Sequence, residues 1–171
     1  MQIALYFSRL FIGVVASVSA SSALAFAKAP TQQEREILSK QASHSCEVVL
    51  DKFNREQLDN KIDVNQLVGI IRSLNTTQQL PSYFVTKREA SALGWSAGVP
   101  FNRIPELKGK SIGGDRFGNY ENRLPKGQWK EADLDYRGNK RNAKRLVFNT
   151  QQERYITIDH YEHFSRVPSC E

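Results

Sequence analysis

The chain has 171 residues, 40% hydrophobic and 25% charged, enough for one ordinary domain with a proper core. It carries 24 lysines and arginines against 18 aspartates and glutamates, a formal net charge of +6. Its two cysteines form no CxxC and no Cys/His cluster, which weighs against a metal centre or a catalytic thiol.

At the start, Arg9 is the only basic side chain, residues 10–20 form an apolar run, and Ala25, Phe26 and Ala27 fit an A-x-A cleavage site. Residues 1–27 are expected to be a signal peptide. Ala23, Leu24 and Ala25 offer a competing site, and serines in the stretch weigh against an uncleaved anchor. No later segment is apolar enough to span a bilayer, so the mature protein is expected to be soluble, secreted or periplasmic, with no stable membrane association. Cys46 and Cys170, near opposite ends of the mature chain, suit one disulfide in an oxidising compartment. Residues 28–79 hold seven basic and seven acidic side chains, whereas residues 80–171 hold sixteen basic and eleven acidic. The excess is an electrostatic footprint for polyanions, and equally fits solubility or adhesion to the cell envelope.

Residues 31–53 are expected to form a single helix opened by a capping box of Thr31 and Glu34. Ile37, Leu38, Ala42, Val49, Leu50 and Phe53 would be its apolar face. Asp63 is expected to cap a second helix, in which Val64, Leu67, Val68, Ile71 and Leu74 form a core stripe. Leu80 and Pro81 begin an extended link. Thr86 and Glu89 form another capping box, opening a short helix through Leu93 with Gly94 as its stop. Lys87 then lies in a first turn, where the helix dipole gives a cation no support, and a bound anion would supply the reason for it. Residues 28–60 are read as a helical extension and residues 61–171 as the main domain.

Beyond Lys110 the pattern becomes β. Gly113, Gly114 and Gly118 permit close approach of backbone to a ligand, or are ordinary bulge and turn glycines. No GK[ST] follows, so this is not a phosphate-binding P-loop. Residues 129–136 alternate: Ala132, Leu134 and Tyr136 on one face, Glu131, Asp133 and Asp135 on the other. With the apolar face on the helices, Glu131 projects from the opposite one. Residues 137–145 make a turn with five basic side chains, and residues 146–148 the next strand. Tyr155, Ile156, Thr157 and Ile158 form a strand that delivers Asp159, His160 and Tyr161. Residues 164–167 end the sheet. The fold class is α+β, with N-terminal helices packed on one face of a twisted antiparallel sheet.

One carboxylate (Glu131), one histidine (His160) and three cations (Lys87, Arg141, Arg145) in a groove on such a sheet suit metal-free phosphodiester cleavage. The carboxylate would take the proton from a ribose 2′-hydroxyl attacking the adjacent phosphorus, and the histidine would protonate the leaving 5′-oxygen. The cations would stabilise charge on the phosphoryl oxygens. An ordinary glutamate titrates near about 4.3 and a histidine near about 6.5, so both hold the required state between those values.

The same residues carry a resemblance. From Leu80 to Val167 the chain resembles the barnase/binase-like, guanyl-preferring microbial ribonucleases. The matching stretches are Leu80 and Pro81, Thr86 and Lys87, residues 92–95 and residues 110–115. They continue with Phe117, Asn119, Glu121, Leu124, Pro125 and Trp129, then residues 131–133, Arg141, Asn142 and Arg145. Residues 159–161 and Phe164 complete the set. The resemblance implies a general base in Glu131, a general acid in His160, and phosphate-binding roles for Lys87, Arg141 and Arg145. It places Phe117, Asn119, Tyr120 and Glu121 in a guanine-recognising loop, with Tyr161 near the bound base. It implies cleavage of single-stranded RNA 3′ of guanosine through a 2′,3′-cyclic phosphate, by a monomer without a cofactor. A barstar-like acidic inhibitor is a candidate partner. Family members usually carry arginine where Tyr120 stands and often serine where Gly118 stands. More distant members tie their termini with a disulfide, in keeping with a Cys46–Cys170 bridge. Asp115 is expected to be structural, His163 a surface residue, and Lys140 and Lys144 solvated turn charges. The rival readings are an exported RNA-binding module without turnover and a ribonuclease toxin delivered to competing cells.

Overall fold

The computed structural model describes residues 29–171, and the expected signal peptide lies outside them. Two units divide at Thr31; the second, residues 32–171, holds every element that follows.

Three helices come first: α1 (Gln32–His44), α2 (Cys46–Gln57) and α3 (Val64–Thr77). The single helix expected over residues 31–53 is therefore two. Ser45 adopts an extended conformation and its hydroxyl caps α2 by accepting from the Val48 N–H. The backbone groups exposed by that break are satisfied by the chain's far end. Cys46 N–H donates to the Glu171 carbonyl, and Glu171 N–H to the His44 carbonyl, both at 3.0 Å. A disulfide joins Cys46 to Cys170 beside them. Because the helix turns away at Ser45, the apolar face expected for α1 is not buried: Ile37 and Leu38 stay exposed. α3 follows the sequence closely, with Asp63 accepting from the Gln66 N–H and Leu67, Val68, Ile71 and Leu74 buried.

A two-residue strand, β1 (Phe84–Val85), precedes α4 (Lys87–Ala92), and two single 3₁₀ turns follow before β2 (Ser111–Phe117). Then come β3 (Trp129–Asp133), β4 (Arg145–Phe148), β5 (Arg154–Thr157) and β6 (Ser165–Arg166). The six strands lie in sequence order in one sheet. β2 to β6 form the expected antiparallel meander, but β1 pairs with β2 in parallel, so the sheet is mixed. The long connection through α4 brings the chain back alongside in the same direction, as a parallel pair requires. The rest of the α+β expectation holds.

Strand alternation builds two cores. Ala132, Leu146, Phe148 and Ile156 pack against Leu50, Phe53, Leu67, Ile71 and Leu74 of the helices. On the opposite face Trp129 and Val147 pack with Phe117, Tyr155, Tyr161 and Phe164. Glu131 belongs to this second face, as the alternation predicts. Asp135 does not. The chain leaves the sheet after Asp133, and a left-handed Asp135 (φ 55) turns its carboxylate to the start of α3, where it accepts from the Asp63 N–H at 3.1 Å. Lys144, expected to be a solvated turn charge, donates to the same Asp135 carboxylate at 2.6 Å.

Candidate active site

Glu131 sits mid-sheet, opposite Asp115 of β2 and Val147 of β4. Its carboxylate is largely buried and doubly held: Lys87 Nζ donates to Oε1 at 2.8 Å and the Tyr161 hydroxyl to Oε2 at 2.6 Å. Burial pushes its pKa up, but the two hydrogen bonds and the charges of Lys87 and Arg145 together hold it below the ordinary glutamate value. Burial likewise raises the Tyr161 phenol, and the bond to Glu131 raises it further, so the hydroxyl remains a donor.

Lys87 reaches Glu131 because the Thr86–Glu89 capping box fixes the start of α4. The Glu89 N–H donates to the Thr86 hydroxyl at 3.2 Å and the Thr86 N–H to the Glu89 carboxylate at 2.7 Å. The Lys87 N–H itself donates to Asp115 at 2.9 Å. A cation at this helix end is thus offset by two carboxylates of the protein, in the place where the sequence pointed to a bound anion. Asp115, expected to pair with an arginine, accepts from this helix amide instead.

Arg141 and Arg145 converge on Asp133, a residue whose importance the sequence reading missed. Asp133 is 1% exposed. It accepts a two-pronged grip from Arg141, Nε to Oδ2 at 2.6 Å and Nη2 to Oδ1 at 2.7 Å. Arg145, itself buried, forms an ion pair through Nε, 3.0 Å from Oδ1, and donates from Nη1 to the carbonyls of Asn142 and Lys144. The available signal was position: Asp133 stands two residues from Glu131 on the same strand face.

His160 is carried by a loop and not by the strand itself, because β5 stops at Thr157. His160 and Tyr161 are consecutive left-handed residues, with φ of 61° and 74°. Such a pair persists only where its surroundings enforce it. Here the Tyr161 N–H donates to the Thr157 hydroxyl at 2.9 Å and the His160 N–H to the Ala143 carbonyl at 3.1 Å. Asp159 completes the loop, accepting from the Thr157 hydroxyl at 2.8 Å and the His163 N–H at 3.0 Å, with His163 Nδ1 2.7 Å from its second oxygen. Slight burial works against ionisation of Asp159, and the His163 and Thr157 hydrogen bonds overcome it, lowering its pKa to about 2. The imidazole of His160 is exposed, its ring centroid 4.8 Å from that of Tyr161.

A cavity of about 310 Å³ is lined by Phe117, Asn119, Tyr120, Glu121, Glu131 and Tyr161, together with Arg116, Gly118, Arg123 and Phe164. It brings residues 117–121 beside Glu131. Phe117 and Tyr161 stack with centroids 5.2 Å apart and planes at 29°. Asn119 does not present its side chain to the cavity as a free group. Its amide donates to the Leu124 carbonyl at 2.7 Å and its oxygen accepts from the Leu124 N–H at 3.0 Å, which folds the loop. Glu121 accepts from Arg123 at 2.7 Å, a pairing the sequence reading did not anticipate. Lys87, Arg141, Arg145 and His160 do not line this cavity; Lys87 meets it through Glu131. Among the described residues no group of three His, Cys, Asp or Glu side chains could hold a metal ion.

A family model described as ribonuclease matches residues 71–168. A ribonuclease of Heyndrickxia coagulans is 43% identical over 107 residues, covering 61% of this chain and 97% of that protein. Ribonucleases of Bacillus intermedius and Bacillus pumilus are each 43% identical over 107 residues. The match covers 65% of each of those two, just under two thirds of their length.

Proposed function

We infer the reaction from a plain premise: this chain belongs to the ribonuclease family, and RNA is its substrate. The reading it supports best is an endoribonuclease that cleaves single-stranded RNA 3′ of guanosine by transesterification, with no metal or other cofactor. The observation that carries this reading is the Glu131 carboxylate, buried, held ionised by Lys87 and Tyr161, and set in the wall of the cavity formed by Phe117 and Glu121. In this position it is suited to accept the proton of a ribose 2′-hydroxyl. The 2′-oxygen then bonds to phosphorus, the bond from phosphorus to the 5′-oxygen breaks, and protonated His160 gives that oxygen its proton. The products are a 2′,3′-cyclic phosphate and a free 5′-hydroxyl. Arg141 and Arg145, anchored by Asp133, and Lys87 would stabilise the charge gathering on the phosphoryl oxygens.

Guanine preference is supported by the cavity beside the stacked Phe117 and Tyr161, the Glu121 carboxylate held by Arg123, and the N–H groups of Asn119, Tyr120 and Glu121, which have no partner among the described residues. The Cys46–Cys170 bridge supports export to an oxidising compartment. The experiment is to incubate the mature protein with a GpN dinucleotide in EDTA and identify the product. Guanosine 2′,3′-cyclic phosphate is expected; its absence, or loss of turnover on chelation, overturns the reading. Glu131→Ala and His160→Ala should each lower the rate by about 10²- to 10⁴-fold, the usual size of a proton-transfer contribution. A wild-type rate in either variant removes that residue from its role.

A further inference from the structure

We propose that a second nucleotide site, built by Arg116 and Lys130 around the edge of β2, takes the nucleotide on the 5′ side of the one recognised in the base cavity. The proposal rests on the ribonuclease reading above and extends it to longer substrates.

Arg116 and Lys130 are direct partners in the β2–β3 register. Like charges placed opposite each other destabilise a sheet, so the pair needs a compensating anion. The protein offers none: both side chains are exposed, and neither has a hydrogen bond or ion pair among the described residues. The cations of the candidate active site and its supports differ. Lys87 is paired with Glu131, Arg123 with Glu121, Arg141 and Arg145 with Asp133, and Lys144 with Asp135. Arg116 and Lys130 stand beside a cavity of about 590 Å³ whose wall also includes Gln78, Gln128, Trp129 and Phe148. No carboxylate lines this cavity. Asn149, at its margin, directs its amide to Glu153 at 2.7 Å. Trp129 and Phe148 are almost fully buried, so what this space offers a strand is cations and side-chain amides, the chemistry that holds a phosphate.

Arg116 also lines the base cavity, so one side chain joins the two spaces. Beyond the bulge at Gly113 to Asp115, β2 has lost its β1 partner, and a strand of RNA can pass around that edge. Polarity fixes which side of the substrate goes there. Along β3, Lys130 is near one end and on the helix face, Glu131 is central on the opposite face, and Asp133 with its arginines is at the other end of that opposite face. A strand that reaches Lys130 therefore has to round the edge of β2. The His160 N–H is anchored to Ala143, beside the Asp133 end. The leaving 5′-oxygen belongs to the 3′ nucleotide, so that part of the substrate departs past His160. The 5′ part leaves from the opposite end, toward Arg116 and Lys130.

The test compares kcat/KM for a GpN dinucleotide with that for the same core extended by two nucleotides on the 5′ side or on the 3′ side. Lys130→Gln and Lys130→Glu are the variants, since Lys130 does not line the base cavity. The wild type should favour the 5′-extended substrate. Lys130→Gln should lower that preference about three- to fivefold, the size of one exposed charge contact. It should also flatten the salt dependence by about 0.7 in the log–log slope, one phosphate's share for a single strand. Lys130→Glu should abolish the preference, and neither variant should change dinucleotide or 3′-extended turnover. Equal kcat/KM with and without the 5′ extension overturns the proposal, as does an equal loss on all three substrates. Titration of a 2′-deoxy version of the 5′-extended strand separates the two readings. A protein that turns over no substrate fails as the proposed ribonuclease, whereas deoxy-strand affinity indifferent to Lys130 defeats the second site alone.

Discussion

Replacing Tyr161 by phenylalanine removes one oxygen from the site and leaves the ring stacked on Phe117 in place, so it tests the hydrogen bond to Glu131 together with a lesser contact of the same oxygen with Arg145. That bond is 2.6 Å long, runs from a hydroxyl to an ionised carboxylate, and is largely shielded from water. Hydrogen bonds to charged groups are worth about 1.5 to 3 kcal/mol net. One pKa unit corresponds to about 1.36 kcal/mol. Lys87 remains bonded to the other carboxylate oxygen, and water can partly replace the lost donor, so the lower bound applies. The Glu131 pKa should therefore rise in Tyr161→Phe, by the equivalent of that lower bound. The unprotonated form is the base, so activity falls as pH drops through this pKa, and the acid limb of the kcat/KM profile should move upward by the same amount. The basic limb should stay where it is. Stability follows with the same sign. A carboxyl held below its unfolded value stabilises the fold above that value and loses the contribution as pH falls through the folded pKa. Raising the folded pKa shrinks the contribution, so the variant should be less stable at neutral pH and approach the wild type in acid. Profiles of kcat/KM against pH on a dinucleotide, with urea unfolding at matched pH, give both readings. An acid limb that does not move, or moves to lower pH, refutes the role given to the hydroxyl.

Two further predictions concern the supports of the site. Asp133→Ala should destabilise by about 3 to 5 kcal/mol in urea unfolding, because it leaves the buried guanidinium of Arg145 without its counter-charge; a loss under about 1 kcal/mol would show that Arg145 had found water or another partner. Replacing Cys46 and Cys170 together by serine should cost about 2 to 5 kcal/mol, the range for a native bridge closing a long loop. Wild-type protein in reductant should reproduce that loss, and dinucleotide turnover should persist under conditions where the variant stays folded, since the bridge lies at the helix break and not at Glu131.

Sequence was informative where a local rule decides structure. Asp63 and Thr86 have the side chains that cap helices, and α3 and α4 begin where they stand. The alternation around Ala132 put Glu131 on the correct face because a strand's side chains must alternate once one face is buried. The failures lie where distant parts of the chain decide. Ser45 has a capping hydroxyl too, but the break there is completed from afar: Glu171 returns to bond the interrupted backbone and Cys170 fastens it. Two residues at 84–85 are too few to read as a strand until β2 arrives beside them. Position sets Asp133 nearer to Glu131 than Asp135 is, but nothing local tells what either carboxylate meets. One lies in the sheet with two arginines brought to it by a turn, and the other lies past the sheet's end, facing a helix. The loop of His160 is intermediate: its residues were identifiable, but its left-handed path depends on contacts with Thr157 and Ala143.

The two departures from the family's usual loop are sterically one. A Cβ on Gly118 would lie 2.2 Å from Cε2 and 2.5 Å from Cζ of Tyr120, so the tyrosine ring occupies the space that a serine at 118 would need. The ring in turn rests over the Gly118 backbone at the rim of the base cavity, 88% exposed. A flexible, exposed side chain could swing away at little cost in stability, so folding does not require glycine at 118. What glycine permits is the placement of the ring. An aromatic ring at the rim offers a base a face to stack on, where an arginine would offer charge. The charge at this rim comes from Arg116 and Arg123 instead. Arg123 is already bound to Glu121 and Glu162, which leaves Arg116 as the rim cation free to meet a phosphate. The loop therefore carries an aromatic surface at its tip and a cation at its base, where the family's usual pattern has a cation at the tip.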